Sequence, residues 1–231
     1  SRTSARSPPR ARRRAAVPAP PLSDDGPAGT IADVALVRGL LMEAARAREA
    51  LGGLHLLLNN AALTFTSIWP DLFRRAGAQF VVPVAEHHDG VAMYETARSR
   101  WKVTAIGPHR DVVGELGEAV RDRWMVLGVS SHRAEHWFFM NGGTRFDSDV
   151  TDPEFSDFYG PAQREELAPN EEYLIDWFLR TVELIDRYRP QVLWFDWWIE
   201  RPVFKPWLRK LAAYYYNSAA RWGREVVIQY K

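Results

Sequence analysis

Four short apolar runs, each separated from the next by a helical pattern, limit this chain to very few architectures. Phe80-Val-Val-Pro-Val-Ala85, Met125-Val-Leu-Gly-Val-Ser130, Gln191-Val-Leu-Trp-Phe-Asp196 and Glu225-Val-Val-Ile-Gln229 have the length and branched content of buried strands. Helices are predicted between them: a short one at Asp71–Gly77, amphipathic ones at Asp111–Arg123 and Glu171–Tyr188, and a last one at Phe204–Trp222 closed by Gly223. Continuous apolar strands alternating with helices mean a parallel sheet covered on both faces, either a barrel or an open doubly wound sheet. No glycine-rich phosphate loop follows any of the strands, which weakens the nucleotide-binding form of the open sheet.

The polar residues fall in a telling place. The first run leads into Glu86-His87-His88-Asp89-Gly90, and the second into Ser130-Ser131-His132-Arg133-Ala134-Glu135. The third closes on Asp196, before Trp197-Trp198-Ile199-Glu200, and the fourth on Gln229-Tyr230-Lys231. In a parallel barrel these carboxyl ends converge on one face, where active sites lie. Packing gives no reason for His, Asp and Glu to recur there, so the pattern points to an enzyme. Each residue also has a plainer reading: one of the paired histidines as a core histidine, Asp196 as a helix cap, Glu86 and Asp89 as loop residues, Glu135 and His136 facing solvent. The Trp-Trp pair and Pro202 make a helix start directly after Asp196 awkward, which favours a functional carboxylate there.

Residues 1–30 differ in kind. Six arginines (Arg2, Arg6, Arg10, Arg12, Arg13, Arg14) precede the first acid, Asp24. Setting these six aside from 30 basic residues leaves 24 against 29 acids, so the body carries a balance near −5 and has no basic stripe for nucleic acid. The segment is rich in Arg, Ser, Pro, Ala and Gly and reads as a disordered, solvated tail. Residues 31–60 read as a helical segment, with Gly52-Gly53 as a stop and Leu54–Leu58 as either a buried strand or the end of the helix. No cysteine is present, so disulfide and thiolate chemistry are excluded and the compartment stays undetermined. No apolar run approaches the ~20 residues that span a bilayer. The first residue is Ser, which suggests a fragment or a processed chain.

The chain from Phe65 onwards resembles the α-L-fucosidases of glycoside hydrolase family 29. The resemblance rests on Ala76–Gly90 (AGAQFVVPVAEHHDG), Ser99-Arg100-Trp101, the Arg110-Asp111…Gly114-Glu115-Leu116 helix, LGVSSHRAEHW, the acidic loop FDSDVTDPEFSDFYGPAQ and RYRPQVLWFDWW. It implies a (β/α)₈ barrel and a retaining hydrolase that removes α-linked L-fucose from an oligosaccharide or glycoconjugate, without a metal or other cofactor. It also implies Asp196 as nucleophile and His87 and His88 as holders of sugar hydroxyls. His132 stands where the family presents another substrate-contacting side chain, although Ser130-Ser131 replace tyrosines usual just before it. Trp198 is included among the substrate-binding residues.

The resemblance has gaps. The family's first strand ends in an isoleucine–histidine–tryptophan–glycine turn that nothing here matches, and its acid/base glutamate lies past the position of Lys231. The expected architecture is therefore a truncated barrel over 61–231, lacking the first strand and the C-terminal portion, with little hydrolase activity of its own. Glu200 and Glu135 are the substitutes for the missing acid. Two other readings stay open: a non-catalytic fucose-binding remnant, and a metal-dependent barrel hydrolase using His87, His88, His132, Asp89 and Asp196.

Overall fold

The computed structural model describes residues 56–59 and 69–230. The basic tail and nearly all of the helical segment expected at 31–60 lie outside the described residues. Within that segment Leu56–Asn59 is a strand, β1, so the strand alternative for the leucine run holds. Helix α1 (Trp69–Arg75) leads to β2 (Phe80–Glu86), and α2 (Val112–Asp122) to β3 (Val126–Ser131). A short helix α3 (Arg133–Phe139) follows at once. After a loop of 3₁₀ turns, α4 (Glu171–Tyr188) leads to β4 (Val192–Phe195), and α5 (Lys205–Trp222) to β5 (Val227–Tyr230).

All strand pairings are parallel, and the order across the sheet is the order along the chain, β1-β2-β3-β4-β5. The doubly wound alternative requires a reversal of strand order; none occurs among the described strands. The parallel α/β class is thus as expected, with five strands in place. A strand does precede β2, but its sequence, LLLN, lacks the histidine–tryptophan turn expected of the family's first strand.

Local chemistry explains where the elements stop. The Asp111 carboxylate caps α2 by accepting from the Gly114 amide at 2.9 Å, and it also accepts from the Tyr188 hydroxyl at 2.8 Å, tying α2 to the end of α4. Asn170 caps α4 through the Tyr173 amide at 2.9 Å. That helix ends at Arg189 in the left-handed conformation, before Pro190. In β3 every residue after Val126 is buried, so both faces of the central strand are covered. Gly128 is required there, because a Cβ would lie 2.8 Å from Val82 Cγ2 and 2.9 Å from Val192 Cβ in the flanking strands. Helix α3 was not anticipated from sequence: seven residues give too few turns for an apolar period to show.

Candidate functional site

Because the strands run in one direction, residues that follow β2, β3 and β4 share one edge of the sheet. His87 and His88 follow β2, His132 follows β3, and Asp196 follows β4. Their rings meet. The His87 and His88 centroids are 3.7 Å apart, and those of His87 and His132 are 4.5 Å apart. Nδ1 of His132 lies 3.1 Å from Asp196 Oδ2, and Nε2 of His132 lies 3.0 Å from Ser130 Oγ. Asp196 and the three histidines are half-buried.

Glu135 stands behind them. From the first turn of α3 its Oε2 lies 3.4 Å from His88 Nδ1. A carboxylate oxygen of Glu135, one of Asp196 and a ring nitrogen of His132 all fall within 4.8 Å of one another. Of the two substitute acids named from sequence, Glu135 is therefore at the site, whereas Glu200 is exposed. Facing solvent is excluded for Glu135 and His136, which keep 6% and 0% of their surface. The same test finds ligand-type atoms of His87, His88 and His132 within 4.8 Å of one another, enough for the metal reading to be tested directly.

Trp198 takes a different position from its neighbour. It is buried with φ +73°, stacked on Phe138 at 4.1 Å and overlain by the Arg201 guanidinium at 3.5 Å from its ring centroid. Trp197 is the exposed member of the pair. Asp89 accepts from the Val91 amide at 3.0 Å and shapes the turn, as its plainer reading supposed.

Electrostatics follow from burial. Loss of solvent, and then the neighbouring His87, push His88 below its ordinary value, while Asp89 and Asp196 pull it back. A neutral imidazole can both donate to and accept from a sugar hydroxyl. His136 is pushed down to about 3, first by burial and then by Arg133, although both its nitrogens face backbone carbonyls, of His88 at 2.9 Å and Gly160 at 3.0 Å. It clips the histidine turn to the loop behind it.

Deeper still, Glu86 anchors the start of that turn. Its carboxylate accepts from Arg133 Nη1 at 2.9 Å and Arg180 Nη1 at 3.2 Å, and Asp176 accepts from Arg180 Nε at 2.7 Å and Arg133 Nη2 at 3.2 Å. Two arginines and two acids thus join β2, α3 and α4, with Glu86 immediately before His87 and Arg133 immediately after His132.

The turn itself depends on Gly90. Its φ is +95°, and a Cβ would lie 2.8 Å from His136 Cε1 and 3.4 Å from the Phe158 carbonyl. Gly90→Ala is expected to cost about 1–3 kcal/mol through backbone strain and this clash. Thermal melts of the two proteins measure it; an unchanged midpoint would show that the turn relaxes freely.

A parallel α/β sheet whose strand ends gather an aspartate, a buried glutamate and three imidazoles has the makings of an acid–base hydrolytic site. Comparison with known proteins makes the class specific. Residues 62–231 match the model of the family described as Alpha-L-fucosidase. The chain belongs to the α-L-fucosidase family. It is 32% identical over 175 residues to the tissue α-L-fucosidase of Rattus norvegicus, an alignment covering 68% of this chain and 32% of the rat protein. It is 44% identical over 71 residues to the tissue enzyme of Mus musculus, or 30% of this chain and 16% of that one. The crystal structure of Thermotoga maritima α-fucosidase in complex with fucose superimposes with a TM-score of 0.53 at 32% identity, covering 71% of this chain and 34% of the bacterial one. The chain spans about a third of the rat and Thermotoga relatives' own length.

Proposed function

We propose that this chain carries the nucleophile side of a retaining α-L-fucosidase site, on an arc of a (β/α)₈ barrel. Support for the barrel comes from five parallel strands in chain order with helices between them, together with the likeness to the Thermotoga fold. The substrate reading draws on the same relative, whose structure was solved with fucose. The observation that carries the proposal is Asp196 at the end of β4, with the His132 ring nitrogen 3.1 Å from its carboxylate.

In the proposed reaction Asp196 attacks the anomeric carbon of an α-linked fucosyl unit and forms a covalent glycosyl-enzyme, which water then hydrolyses. A second carboxyl protonates the leaving oxygen and later activates the water, ~5–5.5 Å from the first in a retaining enzyme. His87 and His88 hold sugar hydroxyls. A carboxylate in a half-buried site stays ionised only where donors hold its charge, and His132 is placed to supply one. Trp198, buried against Phe138 and Arg201, contributes by fixing the loop after Asp196.

Hydrolysis of an aryl α-L-fucoside, with other aryl glycosides as controls, tests the assignment. The 231-residue chain is expected to turn over far more slowly than a complete family enzyme, since the acid/base carboxyl has no assigned place in it. Turnover equal to that of a complete enzyme would overturn this expectation. Calorimetric titration with fucose separates a binding remnant, which binds without turnover, from an enzyme. Metal content of the purified protein decides the metal-dependent reading.

A further inference from the structure

We propose that Ser130 sets the tautomer of His132, so that His132 acts on the nucleophile Asp196 instead of on the sugar. The inference rests on the nucleophile role proposed above and deepens it. Each nitrogen of His132 has a polar neighbour: Nδ1 lies 3.1 Å from Asp196 Oδ2, and Nε2 lies 3.0 Å from Ser130 Oγ. Neither is left over for a fucosyl hydroxyl while these contacts stand.

The direction of each contact follows from what the groups can do. An ionised carboxylate only accepts, and a neutral imidazole has one N–H and one lone pair. The proton must therefore sit on Nδ1, facing Asp196, which leaves the Nε2 lone pair to accept from a hydroxyl. Ser130 is wholly buried, and the hydroxyl it offers to Nε2 is a donor of the required kind. Were Nε2 protonated instead, the Nδ1 lone pair would face a carboxylate at 3.1 Å in a half-dry site, a repulsion that low dielectric makes costly. The serine hydroxyl can also rotate to accept when the ring is doubly protonated, so the same contact survives either charge state. Ser130 is thus a positioning residue, and His132 the donor that holds the nucleophile's charge.

The connectivity, serine to Nε2 and Nδ1 to aspartate, is that of acyl-transferring hydrolases. Here the serine has no exposed surface from which to attack, so it serves as a donor only.

Nitrogen-15 correlation spectra of the 231-residue chain read the tautomer directly. His132 is expected to show a protonated Nδ1 and an unprotonated Nε2. In Ser130→Ala, where Nε2 loses its donor while Asp196 still holds the proton on Nδ1, that pattern should shift towards the doubly protonated ring, and Ser130→Thr, which keeps a hydroxyl, should restore it. An Nε2–H tautomer in the unmodified chain, or a pattern unmoved in Ser130→Ala, overturns the proposal. So does covalent labelling of Ser130 by a sulfonyl fluoride, which would make it a nucleophile. Labelling of Asp196 by a 2-deoxy-2-fluoro fucosyl inhibitor in a complete enzyme reports separately on the nucleophile, so the two readings can fail independently.

Discussion

Asp196→Gly in a complete version of the enzyme should lower kcat on an aryl α-L-fucoside by about a thousand-fold or more, equivalent to ~4 kcal/mol of barrier. On the proposed mechanism the effect is large, because no other group is placed to take over bond formation at the anomeric carbon. Glu135 is close, with a carboxylate oxygen within 4.8 Å of one from Asp196, but it is buried against His88 and points from another strand end. Added azide fills the space left by the missing carboxylate and should restore turnover, giving a fucosyl azide as product. Activity that survives the substitution, or azide that fails to rescue an otherwise folded variant, would remove Asp196 from the nucleophile role. Substrates with good leaving groups should show the rescue best, since they depend least on the acid.

Arg180→Met is expected to unfold the protein more easily, by about 3 kcal/mol, although Arg180 touches no part of the proposed substrate. Its side chain bonds Glu86 and Asp176 with almost no exposure to solvent. Methionine fills the space but leaves two acids sharing Arg133 alone, and removal of one partner from a buried ion network leaves an uncompensated charge. For a chain of this size the melting midpoint should fall by roughly 6–12 °C. A change under ~1 kcal/mol would mean that water reaches Glu86 and that the network is less dry than its burial implies. Loss of stability should be accompanied by weaker fucose binding, because Glu86 immediately precedes His87 and His88.

Much of this was legible beforehand. Every strand from Phe80 onwards was recognisable from its apolar run, and α4 was bounded correctly because Asn170 and Pro190 mark its ends chemically. The gathering of His87, His88, His132 and Asp196 followed from parallel strands alone, since such strands present their ends together. What could not be read was side-chain reach. Glu135 and His136 look alike on paper, adjacent residues of a polar-looking turn. One reaches the site and the other clips two loops together, because the unanticipated helix α3 gives them different directions. Trp197 and Trp198 show the same difficulty. A left-handed backbone at Trp198 turns it inward, and nothing in a Trp-Trp pair announces which member will turn. The contact of Ser130 was hidden for another reason: a serine inside an apolar run looks like a small filler until its hydroxyl is seen against Nε2 of His132.

The strictly sequential strand order has a consequence for how the protein acquires its shape. Each strand pairs with the one just before it in the chain, across one helix-containing connection. The register partners Phe80 and Val126 are 126 − 80 = 46 residues apart, and Gly128 and Val192 are 192 − 128 = 64 apart, so each pairing closes a long loop before its contacts repay the entropy. The cluster of histidines and Asp196 needs only β2, β3 and β4 to come together. Its geometry therefore waits on the two long connections, β2 to β3 and β3 to β4, whatever the outer strands do, and the candidate site is expected to form late, with the sheet itself.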